Sequence, residues 1–508
     1  MTRRIRSRAA CVSVVAALLL AAAAVSAAEN RPGNFDIPQL LEQATVAARA
    51  IVEDSHLRDT ALRGIAGAQA ESGRFDAALE TAALIGDAYL KTGAWRQIAV
   101  AQARAGHRAA AATFLDKALQ EAATLQHVPL LLADALIATA EAQARIGDVP
   151  SALKTAASVG SLRGKAEALR NIALVQAKSG DFTGALGTAD TIADEKMKAQ
   201  ALRGIAGLYA EKGDRDGALR IVAGIRDPYL KAGALRTIAI APAMLTDRTL
   251  ALDILKQALA IAGTIHSEHE KADALGGITM ALLAAGDVSG ALQTAALIEQ
   301  AGAGKPRPEV AVGTRSEVLR AVAIAQAHAG DSPRALQTVG SITIPYMQAS
   351  ALAEIAAVQA ERGDQMAAGG TLRKAMQVAS AMPELTAKAP ALMGIAQAYA
   401  KVGDRAAATR TFQQARRTIR VSEDPRYQTE ALLDLAMVQS GAGDFSGAAE
   451  TADGIRDIYA QTHAWRVIAA AQGVHREQVL AWIAKDGTSV KTAYAFLGLA
   501  EGLLQTTR

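Results

Sequence analysis

The chain has 508 residues, 51% of them hydrophobic but only 4% aromatic, with 54 basic against 50 acidic side chains. That length suits several domains or one long array, and abundant Ala with few aromatics points to closely packed helices rather than one large aromatic core. The near balance of charge gives no footprint for nucleic acid.

The N-terminus reads as a targeting segment. Arg3, Arg4, Arg6 and Arg8 precede an apolar run from Ala9 to Val25, which ends in "VSAAE". A basic start, an apolar stretch and small residues before a cleavage point predict a secretory signal peptide over 1–28, cut after Ala27 or Ala28. The run is short of the ~20 residues that a membrane span needs. These 28 residues hold four Arg and no acid, so the remainder carries 50 charges of each sign. They also hold Cys11, the only cysteine, so the rest of the chain offers no disulfide, cysteine metal ligand or thiol nucleophile. The expectation is an exported bacterial envelope protein, periplasmic or alternatively secreted, with no membrane span after signal cleavage.

Residues 29–53 are read as an N-terminal segment ending in an orphan second helix over 36–53. From residue 54 a repeat takes over. "ALRGIAGAQAESG" from Ala61 and "ALRGIAGLYAEKG" from Ala201 share ten of thirteen residues. Copies begin at Ala61, Ala94, Ala135, Ala168, Ala201, Ala234, Ala274, Val318, Ala351, Ala391, Ala431 and Ala464, mostly 33 or 40 residues apart. Such a period signals a solenoid of helical hairpins. Five residues after each start stands Ala, except for Thr279; seventeen after each start stands Ala, from Ala78 to Ala481. Two helices approach closely only where side chains are small, so these columns mark the crossing within each hairpin. Twelve after the start is Gly in ten units, usually followed by Asp, as at Gly213-Asp214. Gly ends one helix in the left-handed region and Asp caps the next.

In the longer units the second helix is read as extended by roughly two turns, as in "AAAATFLDKALQEAATLQ" from Ala109. Pro242 falls inside a first helix and predicts a kink or a shortened helix. "EQAGAGKPRPEVAVGTRS", residues 299–316, reads as a mobile Gly/Pro-rich loop. The domains are then 1–28 signal peptide, 29–53 orphan helix, 54–298 repeats one to seven, 299–316 loop, 317–485 repeats eight to twelve, and 486–508 a C-terminal capping helix. That last helix copies a first helix ("AFLGLAEGLL" from Ala495) without its partner, as a stack needs to cover its terminal apolar face.

With Trp95 or Leu62, then Ile65-Ala66, Gln69 or Tyr209, Gly213-Asp214, Ala218 and Pro228, the repeat resembles the tetratricopeptide repeat (TPR) family, in a divergent form. Two departures are plain: the family's Tyr is mostly Gln (Gln69, Gln102, Gln143, Gln176, Gln326, Gln359, Gln439, Gln472), and the short repeat is 33 residues rather than the usual 34. The resemblance implies an all-α fold, an α-solenoid coiled as a right-handed superhelix of about twelve TPR-like helix-turn-helix repeats with an orphan helix at each end.

No P-loop, HExxH, GxSxG or Rossmann fingerprint occurs, so no enzyme, catalytic residue or cofactor is predicted. "HSEHE" at His266–Glu270 offers too few ligands for a metal site by itself and is read as a polar helix end. Tyr89, Tyr229, Tyr346 and Tyr459 recur five residues before a start and are read as packing residues at the helix entry.

The position two after each start holds Arg63, Arg96, Arg170, Arg203, Arg236, Arg320 and Arg466. The resemblance places it on the concave face and so implies an Arg ladder there. Guanidinium groups suit carboxylates and phosphates. Asp59, Glu167 and Glu317 lie three or four residues before Arg63, Arg170 and Arg320, where they can pair on one helix face. Arg96, Arg203, Arg236 and Arg466 lack such a neighbour and are the better ligand candidates. The expected function is a non-catalytic exported scaffold that binds a protein or peptide, acidic partners among the candidates, on its concave face. The alternative is an envelope scaffold for an anionic polysaccharide.

Overall fold

The computed structural model describes residues 36–302, 308–471 and 476–506. They form 27 α-helices, one short 3₁₀ turn and, among the described residues, no strand. The signal peptide expected over 1–28 lies outside the described residues, as does Gln472. No described helix is long and apolar enough to cross a membrane.

The chain folds as two compact units, Met1–Asp148 with Leu432–Arg508, and Val149–Ala431. The first unit opens with α1 (Ile37–Arg49), α2 (Ser55–Glu71), α3 (Phe75–Ala83), α4 (Ala88–Arg104), α5 (Arg108–Ala123) and α6 (Pro129–Arg145). The second unit holds α7 (Val149–Ser158), α8 (Leu162–Lys178), α9 (Phe182–Asp190), α10 (Glu195–Glu211), α11 (Arg215–Ala223), α12 (Pro228–Ala239), α13 (Pro242–Leu245), α14 (Arg248–Gly263), α15 (Glu268–Ala284) and α16 (Val288–Gly302). It continues with α17 (Pro308–His328), α18 (Ser332–Gly340), α19 (Pro345–Glu361), α20 (Gln365–Ala381), α21 (Leu385–Val402) and α22 (Arg405–Val421). Helix α23 (Pro425–Gly441) leads back into the first unit, which ends with α24 (Phe445–Asp453), α25 (Ile458–Ala471), α26 (Arg476–Asp486) and α27 (Ser489–Thr506).

Local chemistry sets the helix ends. All ten glycines at the turn column, Gly73 to Gly443, have positive φ, the conformation that a side chain resists. The aspartate that follows caps the second helix: Asp181 accepts the Gly184 amide at 2.8 Å and Asp404 the Ala407 amide at 2.9 Å. Asp227 does the same for the first helix α12, with Pro228 in its first turn.

The small-residue column is the tightest point of the core. The residue five after each start has zero exposure in all twelve repeats, Thr279 included. The second column is likewise buried from Ala78 to Ala448. It fails once. Ala481 is exposed, and Val479, Trp482 and Ile483 are buried instead. This repeat lacks the Gly-Asp turn, and Trp482 occupies the interface, sending its indole N–H to Asp453 at 2.9 Å. Within each unit, first helices pack against their own second helices and against the next first helix, for instance α4 on α5 and α6, and α19 on α20 and α21.

Two helix lengths explain the two periods. Second helices of short repeats have 9 or 10 residues, as in α3 and α7, and those of long repeats 15 to 17, as in α16, α5 and α20. Pro242 acts as expected: α12 stops at Ala239 and the chain restarts as the four-residue α13. The loop expected over 299–316 is a correction. Helix α16 runs to Gly302 and α17 starts at Pro308; 303–307 lie outside the described residues. Pro308 stands at the first helical position, where its missing N–H breaks no bond, so this proline starts a helix rather than interrupting one.

The orphan helices behave differently from terminal caps. Both lie in the first unit, and they pack on each other: α27 packs on α25 and α2 as a first helix does, and on α1 as on its own second helix. Opposite ends of the chain thus complete one further hairpin. Eleven residues of α27 are buried. Gly498 and Gly502 let its backbone meet that of α25; a Cβ there would sit 2.1 Å from the Arg466 carbonyl oxygen and 2.2 Å from that of Ala470. The buried Tyr494 hydroxyl donates to the Leu57 carbonyl at 2.9 Å, tying α27 to α2.

Candidate binding surface of the first helices

The arginines of the column are half-buried, and several reach from one first helix towards the next. In three cases a glycine makes the room. Arg63 crosses Gly93, Arg203 crosses Gly233 and Arg236 crosses Gly277; a Cβ at those glycines would lie 3.1, 3.3 and 2.7 Å from the nearest atom of the arginine. This reach decides which acid each arginine can meet, and it overturns part of the pairing expected within single helices.

Arg466 is the clearest correction. It has no acid in its own helix, yet its Nε donates to Glu501 Oε2 of α27 at 2.7 Å and its Nη2 to Glu501 Oε1, a two-pronged ion pair. Arg320 pairs not with Glu317 but with Glu354 on the following first helix, at 2.6 Å. Asp59, expected to neutralise Arg63, instead accepts the Gly86 and Asp87 amides at 2.9 and 2.7 Å and the Arg58 Nε at 2.9 Å. Arg63 Nε is buried without a hydrogen-bond partner. Arg170 keeps Glu167 only at 3.9 Å and bonds Gln200 at 3.1 Å and Asn171. Arg203 donates to Thr237 at 3.2 Å. Arg96 Nη1 is buried with no partner. Burial, first of all, draws the Arg96 pKa below the ordinary arginine value; Tyr89 and Glu141 oppose this shift and the neighbouring Arg63 charge adds to it.

In the first unit Arg96 lines a groove of about 380 Å³ formed by first helices alone: α2, α4, α6, α25 and α27. Its apolar surface comes from Gly64, Gly67, Ala68, Ala101, Ala138 and Ala142. Arg104, Arg145 and Arg466 supply positive charge and Glu71, Glu141 and Glu501 negative charge. Arg145 and Glu141 pair at 2.5 Å and Arg104 approaches Glu71 at 3.9 Å. Arg96 is the one lining arginine that forms no ion pair among the described residues; the Glu141 charge acts on it only through space.

In the second unit a smaller cleft of about 150 Å³ lies between Arg203, Arg236, Tyr229 and Asp273. The Tyr229 hydroxyl donates to Asp273 Oδ2 at 2.7 Å. That bond, with burial behind it, raises the tyrosine pKa. The tyrosine column is less buried than expected. Tyr346 is 39% and Tyr459 48% exposed, and Tyr459 donates to Asp54 at 3.1 Å. His266–Glu270 sits at a helix start, where Ser267 caps α15; among the described residues no group of three or more His, Cys, Asp or Glu could hold a metal.

Two polar features escaped the sequence reading. The glutamines that replace the TPR tyrosine accept a hydroxyl from a threonine twelve residues on: Thr188 to Gln176, Thr371 to Gln359 and Thr451 to Gln439, at 2.7–2.8 Å. The recurrent Gln-x₁₁-Thr spacing was the available signal. Lys491, almost fully buried, lies 4.5 Å from the centre of the Trp482 ring and 3.1 Å from Asp453 Oδ2. Asp453 also accepts the indole N–H of Trp465 and Trp482, so the cluster is internally satisfied.

No family model and no curated protein matches the chain. Solved structures similar to it include Ton1535 from Thermococcus onnurineus NA1, at 17% identity over 65% of this chain and 99% of that one, TM-score 0.32. Others are the APC/C hetero-tetramer Cut9–Hcn1 (11%, 89% and 98%, 0.23) and yeast Tom70 (14%, 85% and 100%, 0.22). The fold assignment therefore stands on the geometry of the chain itself: repeated helix pairs, a left-handed Gly followed by a capping Asp, and first helices stacked on first helices. On those grounds the chain has an all-α repeat fold of stacked helical hairpins, and its likeness to the TPR pattern is one of fold.

Proposed function

We propose that the protein is an exported, non-catalytic scaffold that binds an extended acidic peptide segment across its first helices, in the groove of the first unit. The observation that carries this reading is the buried Arg96 nitrogen, which lacks an acceptor beside a groove whose other lining arginines have carboxylate neighbours. A buried donor without an acceptor costs about 1–3 kcal/mol, which is recovered when the Arg96 guanidinium turns into the groove to meet a carboxylate. The small side chains of Ala68, Ala101, Ala138 and Ala142 leave the groove room for an extended segment, and Glu71, Arg104, Glu141 and Arg145 offer both signs of charge to its side chains. Export rests on the signal-peptide pattern of residues 1–28.

The test is fluorescence polarisation of labelled acidic peptides and their amidated Asn/Gln counterparts against the chain without residues 1–28. Acidic peptides are expected to bind more tightly, and Arg96→Gln to weaken them about 10- to 100-fold, as for loss of one charge-assisted hydrogen bond. Arg466 is left intact, since its removal would strand Glu501. Equal affinity for both peptide sets, or an unchanged affinity in Arg96→Gln, would refute the proposal.

A further inference from the structure

The cleft of the second unit is a separate site with its own logic. Arg203 and Arg236 hold the same repeat position on successive first helices, α10 and α12. Arg203 is fixed by its bond to Thr237, and its guanidinium lies on Gly233. Arg236 lies on Gly277 and makes no hydrogen bond or ion pair with any described residue. The nearest carboxylate, Asp273, is engaged by Tyr229 and forms no ion pair with either arginine. Two like charges are thus held beside each other, partly out of water. Burial, followed by the Arg236 charge, lowers the Arg203 pKa. Asp273 offsets part of this, but it is held by Tyr229 and pairs with neither guanidinium, so the repulsion between the two arginines favours an entering anion.

We propose that the Arg203–Arg236 cleft binds a single carboxylate group, shared between the two guanidiniums. The two arginines and Asp273 leave one net positive charge, which one carboxylate neutralises; a phosphate dianion would instead face Asp273 in excess. The planar guanidinium fork matches the two carboxylate oxygens. The cleft, of about 150 Å³ and open to solvent, has room for a carboxylate and a short methylene stem.

The experiment is saturation-transfer NMR of acetate and of the blocked tripeptide acetyl-Gly-Glu-Gly-amide, at constant ionic strength in chloride, with phosphate as competitor. Acetate is expected to bind the parent chain and to bind at least tenfold more weakly in two variants. Gly277→Ala keeps both charges but pushes the Arg236 guanidinium aside, and Arg236→Lys keeps the charge but loses the fork. Circular dichroism verifies that each variant is folded, and Arg220→Gln, at an exposed arginine of α11, controls for bulk charge and should bind as the parent does. Tighter binding of the tripeptide assigns the carboxylate to an acidic side chain, and equal or weaker binding assigns it to a free small acid; both support the site. Absence of acetate binding, undiminished binding in Gly277→Ala, or displacement by phosphate at lower concentration than acetate itself would overturn it. Each comparison is made in an Arg96→Gln background, which removes the carboxylate site proposed in the first unit, so the signal reports on the second unit and the two tests fail separately.

Discussion

Replacing Thr371 by Val tests whether the Gln–Thr bond holds each hairpin together. The Thr371 hydroxyl donates to Gln359 Oε1 at 2.8 Å, and each residue is 4% exposed. Val has nearly the shape of Thr, so the change removes a donor without opening a cavity. The Gln359 oxygen is then left buried and unmet, which costs about 1–3 kcal/mol. Gln359→Leu alone is expected to cost less, about 1 kcal/mol, because a threonine hydroxyl can turn to a backbone carbonyl of its own helix. The double variant removes both polar groups and should return close to the parent, since an apolar pair leaves nothing unsatisfied. Stability in a repeat array is local, so a single global unfolding energy is the wrong readout. Hydrogen exchange followed by mass spectrometry, comparing α19 and α20 with the distant α8, gives the local free energies. The reasoning is refuted if Thr371→Val leaves exchange in α19 and α20 unchanged, or if the double variant is as unstable as the two single effects added.

Two further outcomes follow from the geometry. Gly363→Ala should cost about 1–2 kcal/mol from its positive φ alone, because no atom lies within 4 Å of the added methyl. Gly498→Ala should cost more, above about 3 kcal/mol, since the new methyl meets a backbone oxygen that cannot turn away; limited proteolysis that fails to release α27 any faster would contradict this. Asp54 caps α2 through the His56 and Leu57 amides and receives the Tyr459 hydroxyl. The Leu57 bond is the main cause of its lowered pKa. A depressed carboxylate contributes stability that is present above its unfolded pKa and lost as pH falls through the folded one. Protection at the start of α2, the observed exchange rate taken relative to the intrinsic rate at each pH, should therefore fall as pH drops below about 4, and Asp54→Asn should flatten that dependence.

Much of the protein was legible from local pattern. The starts at Ala61 to Ala464 located twelve repeats because a close helix crossing tolerates nothing larger than Ala or Thr, and that demand recurs at fixed spacing. Gly73 to Gly443 and the aspartates after them marked the turns, because backbone conformation and capping act over three or four residues. Pro242 was equally local in its effect, whereas Pro308 was ambiguous: proline interrupts a helix or begins one according to residues that the Gly-rich context does not reveal.

The partners of the arginine column were decided by tertiary structure. A guanidinium on one first helix reaches the next, some 34 or 35 residues on, so Glu354 and Glu501 could not be found by searching three or four positions away. The same holds at the ends. The sequence identified α1 as a second helix without a first and α27 as a first without a second, since each carries the apolar face of half a hairpin. It did not reveal that each is the other's missing half. That pairing depends on where the packed repeats of the first unit leave the two faces, and on Gly498 and Gly502 meeting the α25 backbone, a fit that exists only once both segments are in place.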